Sequence, residues 1–185
     1  MDTYHNKSRD ELAAEIRIVQ SVIEKLHIDD ATMTPPMYPW DAELLIYGDE
    51  GTRETVGILE TKTRTCSRTH FETYQISQSK IENLLWASLT REIPAYLAVE
   101  FLDGIFMVTI ARDWLDKHAR SVTMQRRGEG VERAIEWSNR HWSPVPVSPH
   151  MVSWSALIDG PGYGSLTRGF LTTIDTALPS LWIPF

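Results

Sequence analysis

The 185-residue sequence predicts an α/β fold with a mixed central sheet flanked by helices. Two segments with apolar residues three or four positions apart indicate amphipathic helices, and two pairs of apolar runs around turn residues indicate β-hairpins. A chain of this length can form one domain with its own core. We expect that domain in residues 1–142, followed by a C-terminal extension, rich in proline, glycine and tryptophan, in residues 143–185. The extension is expected to pack on the domain or on a partner.

Composition excludes several classes of protein. A formal charge of −7 argues against binding nucleic acid by bulk electrostatics, although carboxylates gathered around divalent cations also count as negative. A single cysteine, Cys66, excludes an internal disulfide and a four-cysteine metal cluster within one chain. We find no apolar block typical of a signal peptide or a membrane span, so we expect a soluble, cytoplasmic protein.

The first half of the chain predicts a helix followed by a hairpin. Ser8 and Glu11 have the spacing of a capping box, and the apolar pattern after them predicts a helix over residues 9–27. The segment "ATMTPPMYPW" is expected to be extended and irregular because of its prolines. The runs "DAELLIYG" and "TVGILETKTR" then predict two paired strands.

A second helix and a second hairpin follow. The run from Phe71 to Thr90 has apolar residues at helical intervals and contains no glycine or proline. Asp103-Gly104 is a strong turn signal between the apolar runs of "AYLAVEFLDGIFMVTI". "RDWLDKHA" predicts a short helix, whereas "SVTMQRRGEGVERAIEWSNRHW" fits either helix or strand. Tryptophans beyond residue 130 are expected in the core or at an interface: Trp137, Trp142, Trp154 and Trp182.

The first hairpin carries the charged residues that indicate chemistry. Glu60 and Lys62 lie two residues apart on a strand, so they project from the same face, at the end of an apolar stripe. Asp41 opens the preceding strand, and hairpin pairing can bring all three residues to one end of the sheet. Two carboxylates form a hard, oxygen-rich site suited to Mg²⁺ or Mn²⁺. The alternatives are a surface ion pair, or Glu43 or Glu54 as the first acid.

These residues resemble the PD-(D/E)XK nuclease superfamily: "PWD" at 39–41, "ETK" at 60–62 and a polar-faced helix after them. The resemblance covers roughly residues 9–110 and implies a restriction-endonuclease-like αβββαβ core. It implies that Asp41, Glu60 and the backbone carbonyl of Thr61 are metal ligands, and that Lys62 is the catalytic lysine. A further ligand from the first helix would be Glu11 or Glu15. The sequence departs from the pattern in having Trp40 between Pro39 and Asp41.

Several donors near this site are candidates for binding nucleic acid. Tyr74 and Gln78 are four residues apart on the predicted second helix, and Lys80 follows at its edge. Arg64 and Arg68 add further hydrogen-bond donors on the loop before this helix. They would make the surface beside the site locally basic, although the protein as a whole is acidic. For Gln78 and Lys80, a solvated helix face is the alternative.

The sequence therefore predicts a Mg²⁺- or Mn²⁺-dependent deoxyribonuclease. The resemblance suggests a phage-type or mobile-element nuclease, or a Holliday-junction resolvase that would act on DNA as a homodimer. The competing hypothesis is a non-catalytic nucleic-acid-binding or assembly protein of viral or mobile-element origin that retains the fold.

Overall fold

The computed structural model describes residues 8–35, 38–126, 130–147 and 165–167. Within these ranges the chain forms the following elements in order: α1 (Arg9–Leu26), β1 (Asp30–Met33), β2 (Ala42–Tyr47), β3 (Arg53–Thr63), β4 (Thr73–Ser77), α2 (Gln78–Arg91), β5 (Ala95–Phe101), β6 (Gly104–Ile110), α3 (Arg112–His118), β7 (Ala119–Arg126), β8 (Gly130–Ser138), β9 (Ser143–Val145) and β10 (Ser165–Thr167). No helix among these is both long enough and apolar enough to cross a lipid bilayer.

The central sheet is mixed and has seven strands in the order β10-β1-β2-β3-β5-β6-β9. The β3–β5 pair is parallel and the other pairs are antiparallel. Apolar residues of β3 alternate between two cores: Leu59 packs in the cluster of α1, and Ile58 packs in the cluster of α2. This confirms the predicted α/β class with a mixed sheet flanked by helices.

A second, three-stranded antiparallel sheet has the order β4-β8-β7. Its inward residues join the core of α2, where Tyr74, Trp137 and Trp142 pack their rings 5.0–5.7 Å apart. Trp137 and Trp142 are buried, as predicted, whereas Trp154 and Trp182 lie outside the described residues.

The first helix forms as its end signals predict. Ser8 Oγ accepts from the backbone N–H of Glu11 at 3.2 Å, and Glu11 Oε2 accepts from the backbone N–H of Ser8 at 2.7 Å. These bonds satisfy donors that the first helical turn leaves unpaired. The helix ends at Leu26, with His27 in the left-handed conformation at φ 55°.

Both predicted hairpins are present. β2 pairs with β3, with an irregularity between Leu44 and Leu45, and β5 pairs with β6 around Asp103-Gly104. Gly104 has φ +133°, a conformation that glycine adopts without a Cβ penalty. The short helix predicted from "RDWLDKHA" is α3, and the segment that fitted helix or strand forms the β7–β8 hairpin.

Two predictions of secondary structure were wrong. The helix predicted from Phe71 begins only at Gln78, because Thr73–Ser77 form β4 and pair with β8. Tyr74 and Ile76 are buried two residues apart, which is the period of a strand. Pairing with β8, about 60 residues later in the chain, overrides the helical propensity of this segment. The segment expected to be irregular contains part of β1, which pairs with β2 before the first of the prolines.

Only parts of the expected C-terminal extension are described. Ser143–Val145 adds β9 to one edge of the central sheet by pairing with β6, and Ser165–Thr167 adds β10 to the other edge by pairing with β1. The division of the chain at residue 143 remains a prediction, as does the packing of the terminal "LWIPF", which lies outside the described residues.

Glu136 joins the three strands of the second sheet. Its buried carboxylate accepts from Thr73 Oγ1 at 3.0 Å, from Gln75 Nε2 at 2.7 Å and from Arg120 Nε at 2.7 Å. The hydrogen bond from Gln75, together with those from Arg120 and Thr73, holds the pKa of Glu136 below its usual value, against the opposing effect of burial.

We expect Glu136→Gln to lower the free energy of unfolding at pH 7 by about 1–3 kcal/mol, because the partly buried donors Thr73 and Gln75 and the exposed Arg120 lose a buried charged acceptor. The carboxylate's contribution is complete above its ordinary pKa of 4.5 and is lost as the pH falls through the lower folded-state pKa. Urea unfolding at pH 7 and at pH 3 should therefore show the variant and wild type converging in acid. The exposed Glu54→Gln is the control, and an equal loss at both pH values would contradict the assignment.

Candidate active site

The candidate site lies where β2 begins and β3 ends. The pairing of Ala42 with Leu59, and a hydrogen bond from the Asp41 N–H to the Leu59 carbonyl at 3.0 Å, place Asp41 beside Glu60. The hairpin thus brings Asp41, Glu60 and Lys62 to one end of the sheet. Their roles in catalysis remain predictions.

Glu60 is completely buried and lies between two ammonium groups. Lys62 Nζ is 2.5 Å from Glu60 Oε1, and Lys80 Nζ is 2.9 Å from Glu60 Oε2. A carboxylate taken out of water requires such partners, since an unpaired buried charge is very costly. The ammonium groups of Lys62 and Lys80 therefore stabilise the buried carboxylate of Glu60. Each of the two lysine side chains is about one-third exposed.

One oxygen of this carboxylate retains bonding capacity. Glu60 Oε1 has Lys62 as an ionic partner, yet no donor is aligned for a hydrogen bond to it among the described residues. Buried carboxylate oxygens normally accept hydrogen bonds. The arrangement leaves an electron pair for a further cationic partner.

Asp41 is fixed by the strand on which Glu60 lies. Its Oδ2 accepts from the Thr61 backbone N–H at 2.8 Å and from Thr61 Oγ1 at 3.0 Å. Thr61 is itself buried, so its two donors have little freedom to turn away. The carboxylate of the first acid of the predicted motif is therefore held against the residue that follows the second acid.

Lys80 connects three parts of the site. Besides its contact with Glu60, its Nζ donates to the Pro39 carbonyl at 3.3 Å. The first turn of α2 is thereby joined to the loop before Asp41 and to the end of β3. From the sequence, Lys80 was predicted only as a hydrogen-bond donor at the edge of the second helix. Its contact with Glu60 depends on the residue at which α2 begins, which the sequence did not predict correctly.

The residues present fit a divalent metal ion. The described residues contain no group of three or more histidine, cysteine, aspartate or glutamate side chains that could hold one. Two carboxylates are nevertheless enough for Mg²⁺, which commonly binds one or two protein carboxylates and completes its shell with water and substrate phosphate. The chemistry of Asp41 and Glu60, with the spare capacity of Glu60 Oε1, meets this requirement.

The candidates on the first helix are not distinguished by the structure. Glu11 takes part in the capping box of α1, and Glu15 is partly buried on the same helix. A metal ligand from either residue remains a prediction.

Among the predicted nucleic-acid contacts, Arg64 and Tyr74 lie together. Arg64 donates to the Tyr74 hydroxyl at 3.2 Å, and its guanidinium lies 5.2 Å from the centre of that ring. Burial raises the pKa of Tyr74 to about 12, with nearby Glu60 adding to the shift and Arg64 opposing it. Tyr74 is on β4, so the expected helical spacing between Tyr74 and Gln78 is wrong.

Arg68 and Gln78 make contacts away from Glu60. Arg68 donates to the Asn139 carbonyl at 2.7 Å, and its guanidinium lies over the Phe106 ring. Gln78 donates to Glu82 Oε1 at 2.7 Å on α2. Contact of either residue with nucleic acid remains a prediction.

The alternatives for the first acid occupy other positions. Glu43 is paired with Arg91 at 2.6 Å. Glu54 is exposed and lies six residues before Glu60 on β3, which is about 20 Å along the strand. Asp41 is thus the candidate that the hairpin places next to Glu60.

The fold and this motif are of the type found in the PD-(D/E)XK nuclease class. The family model described as "Phage putative PDDEXK endonuclease" matches residues 6–136. That match spans well over half of the chain, and the chain belongs to this family. The resemblance seen in the motif is thereby confirmed.

Solved structures similar to the chain include the following two. A nuclease from a fusselovirus is 12% identical, with 76% of this chain and 90% of that chain covered and a TM-score of 0.48. Hjc, a Holliday junction resolvase from the archaeal hyperthermophile Archaeoglobus fulgidus, is also 12% identical, with 68% and 84% covered and a TM-score of 0.40. No functionally curated protein matches the chain.

Proposed function

We propose that this nuclease is a metal-dependent deoxyribonuclease that hydrolyses phosphodiester bonds. The observation that carries the proposal is the buried carboxylate of Glu60, which lies between Lys62 and Lys80 at the sheet end where Asp41 is hydrogen-bonded to Thr61. A purely structural surface ion pair would not require a fully buried acid with two cations.

Asp41, Glu60 and the Thr61 carbonyl are the groups that would hold Mg²⁺ or Mn²⁺. A bound divalent ion supplies Lewis-acid stabilisation of the phosphate and favours hydroxide over water as the nucleophile. Lys62 orients the attacking water, and its ammonium balances the negative charge that grows on the phosphate oxygens during in-line attack. Lys80 holds the Glu60 carboxylate from the opposite side.

The local charge favours a phosphate-containing substrate. Lys62, Lys80 and Arg64 lie around two acids at the sheet end, while the chain as a whole has a charge of −7. Cations concentrated at one site raise the local concentration of a polyanion there, and the acidic remainder opposes non-specific binding. DNA is the substrate we propose.

The finer parts of the proposal concern substrate shape and assembly. We infer selectivity for branched or junction DNA, which in a two-fold symmetric junction would require a homodimer, and activity in the cytoplasm of a bacterial, archaeal or virus-infected cell. The competing hypothesis, a binding protein without catalysis, predicts the same DNA affinity in every metal and no turnover.

The test is cleavage of labelled linear, circular, single-stranded and four-way-junction DNA with Mg²⁺, Mn²⁺ or EDTA. Glu60→Gln purified in parallel controls for contaminating nuclease. We expect cutting in both metals and none in EDTA, and sedimentation measures the mass of the active species. DNA binding without cleavage in either metal would contradict the proposed deoxyribonuclease activity and would support the hypothesis of a non-catalytic binding protein.

A further inference from the structure

A cavity of about 370 Å³ opens beside the candidate active site. It lies between the loop that follows β3 and the strand β4, and the lining residues used below are Arg64, Arg68, Phe71, Tyr74, Gln75 and Asn139. We call it the Phe71 cavity. Its volume is within the range of about 300–1,000 Å³ that is typical of small-molecule sites.

The Phe71 cavity begins two residues beyond Lys62, at Arg64. Arg64 follows Lys62 by two residues, which is about 6.6 Å along an extended chain. The Arg64 guanidinium donates to the Tyr74 hydroxyl at 3.2 Å, and both residues line the cavity. A DNA strand with one phosphate at Lys62 can therefore place an adjacent nucleotide at the cavity.

The chemistry of the lining suits a nucleobase. Phe71 is 62% exposed, although it is a large apolar ring, and the His70 ring contacts it edge-on at 4.5 Å. Aromatic rings beside a basic groove are the usual platform for unpaired bases, since every base offers a stacking face. Arg64 supplies the cation beside this platform.

Polar groups in the cavity can bond to base edges. Arg68 lines the cavity, and a guanidinium carries N–H donors of the kind that base carbonyls and ring nitrogens accept. The amide of Gln75 is oriented by its hydrogen bond to Glu136.

The platform is held in place before any ligand binds. The buried Asn139 side chain donates to the Phe71 carbonyl at 2.7 Å and to the Arg68 carbonyl at 2.8 Å. The Asp103 carboxylate accepts from the Arg68 N–H at 2.6 Å. A loop fixed in this way loses little conformational freedom on binding, which favours affinity.

We propose that the Phe71 cavity receives one unpaired nucleobase of the DNA strand, next to the phosphate that is cut. This inference rests on the proposed deoxyribonuclease function and specifies its substrate class. A base in an intact duplex would have to leave its stack to enter the cavity, so DNA with an unpaired nucleotide is preferred.

The test uses the full chain in EDTA, so that binding is measured without cleavage. Single-stranded oligonucleotides carry the fluorescent base 2-aminopurine at one position each, moved stepwise along the strand. We expect wild type to quench the emission at one or two positions through stacking on Phe71. Phe71→Ala should restore that emission and weaken single-strand affinity by about 5- to 100-fold.

Two variants make the result specific. Phe71→Trp keeps a stacking ring and should retain single-strand affinity. Trp86→Ala removes an aromatic ring that is 66% exposed on α2, outside the lining of the Phe71 cavity, and should bind like wild type. Affinity for blunt duplex should be the same in all four proteins, because the duplex offers no unpaired base.

The inference and the proposed function fail in different ways. If Phe71→Ala binds single strands as wild type does, while wild type cuts DNA with metal, the cavity is not a base site and the nuclease stands. If wild type binds neither single strands nor duplex and cuts neither, both are overturned.

Discussion

Glu60→Gln is expected to lower the rate of metal-dependent DNA cleavage by about a thousandfold or more. The amide keeps the shape of the side chain but loses the charge that would hold the metal ion, and loss of one well-placed electrostatic group already costs about 10²–10³ in rate. The same substitution should weaken the dependence of DNA binding on divalent metal. Single-turnover cleavage of a labelled oligonucleotide in Mg²⁺ measures the rate, and binding of the same oligonucleotide across a titration of divalent metal measures the metal dependence of affinity.

Two controls separate loss of chemistry from loss of fold. Glu54→Gln changes an exposed carboxylate on the same strand, at the far end from the site, and should cleave like wild type. Glu60→Gln itself should unfold cooperatively on heating, because Lys62 and Lys80 are partly exposed and can return to water. If a folded Glu60→Gln protein cleaves as fast as Glu54→Gln, Glu60 is not part of the catalytic site.

Local sequence signals predicted much of the structure. The Ser8–Glu11 capping box marks the beginning of α1, and Asp103-Gly104 marks the turn between β5 and β6. The placement of Glu60 and Lys62 on one face followed from strand alternation, which depends on β3 alone. Each of these features is decided by residues that are neighbours in the chain.

The parts that were missed depend on distant partners. Thr73–Ser77 fits both a helical and a strand period, and only its pairing with Ala134–Ser138 makes it a strand. The error moved the expected beginning of α2 by seven residues. With α2 expected to begin at Phe71, the sequence did not place Lys80 on the first turn of the helix. Its contacts with Glu60 and with the Pro39 carbonyl were therefore not predicted. A contact of this kind cannot be read from the spacing of charges along the sequence.

The two lysines around Glu60 should respond differently to substitution, although both are ion-paired to the same carboxylate. Lys62→Met is expected to lower the single-turnover cleavage rate by about 10²–10⁴, the range for a group that acts on the attacking water. DNA affinity in EDTA should change much less. Lys80→Met should cost about tenfold to a hundredfold, typical of a residue that holds a ligand in place.

Replacement by arginine distinguishes these roles. Arginine keeps the positive charge but stays protonated and is larger and planar, so it can pair with Glu60 without reproducing an ammonium at the water. We expect Lys80→Arg to recover most of the wild-type rate and Lys62→Arg to remain slow at every pH between 6 and 9. The matched control is Lys117→Met, an exposed lysine on α3. If the cleavage rate falls equally in Lys62→Arg and Lys80→Arg, both lysines serve only to neutralise Glu60. The attacking water would then have to be oriented by a residue other than Lys62.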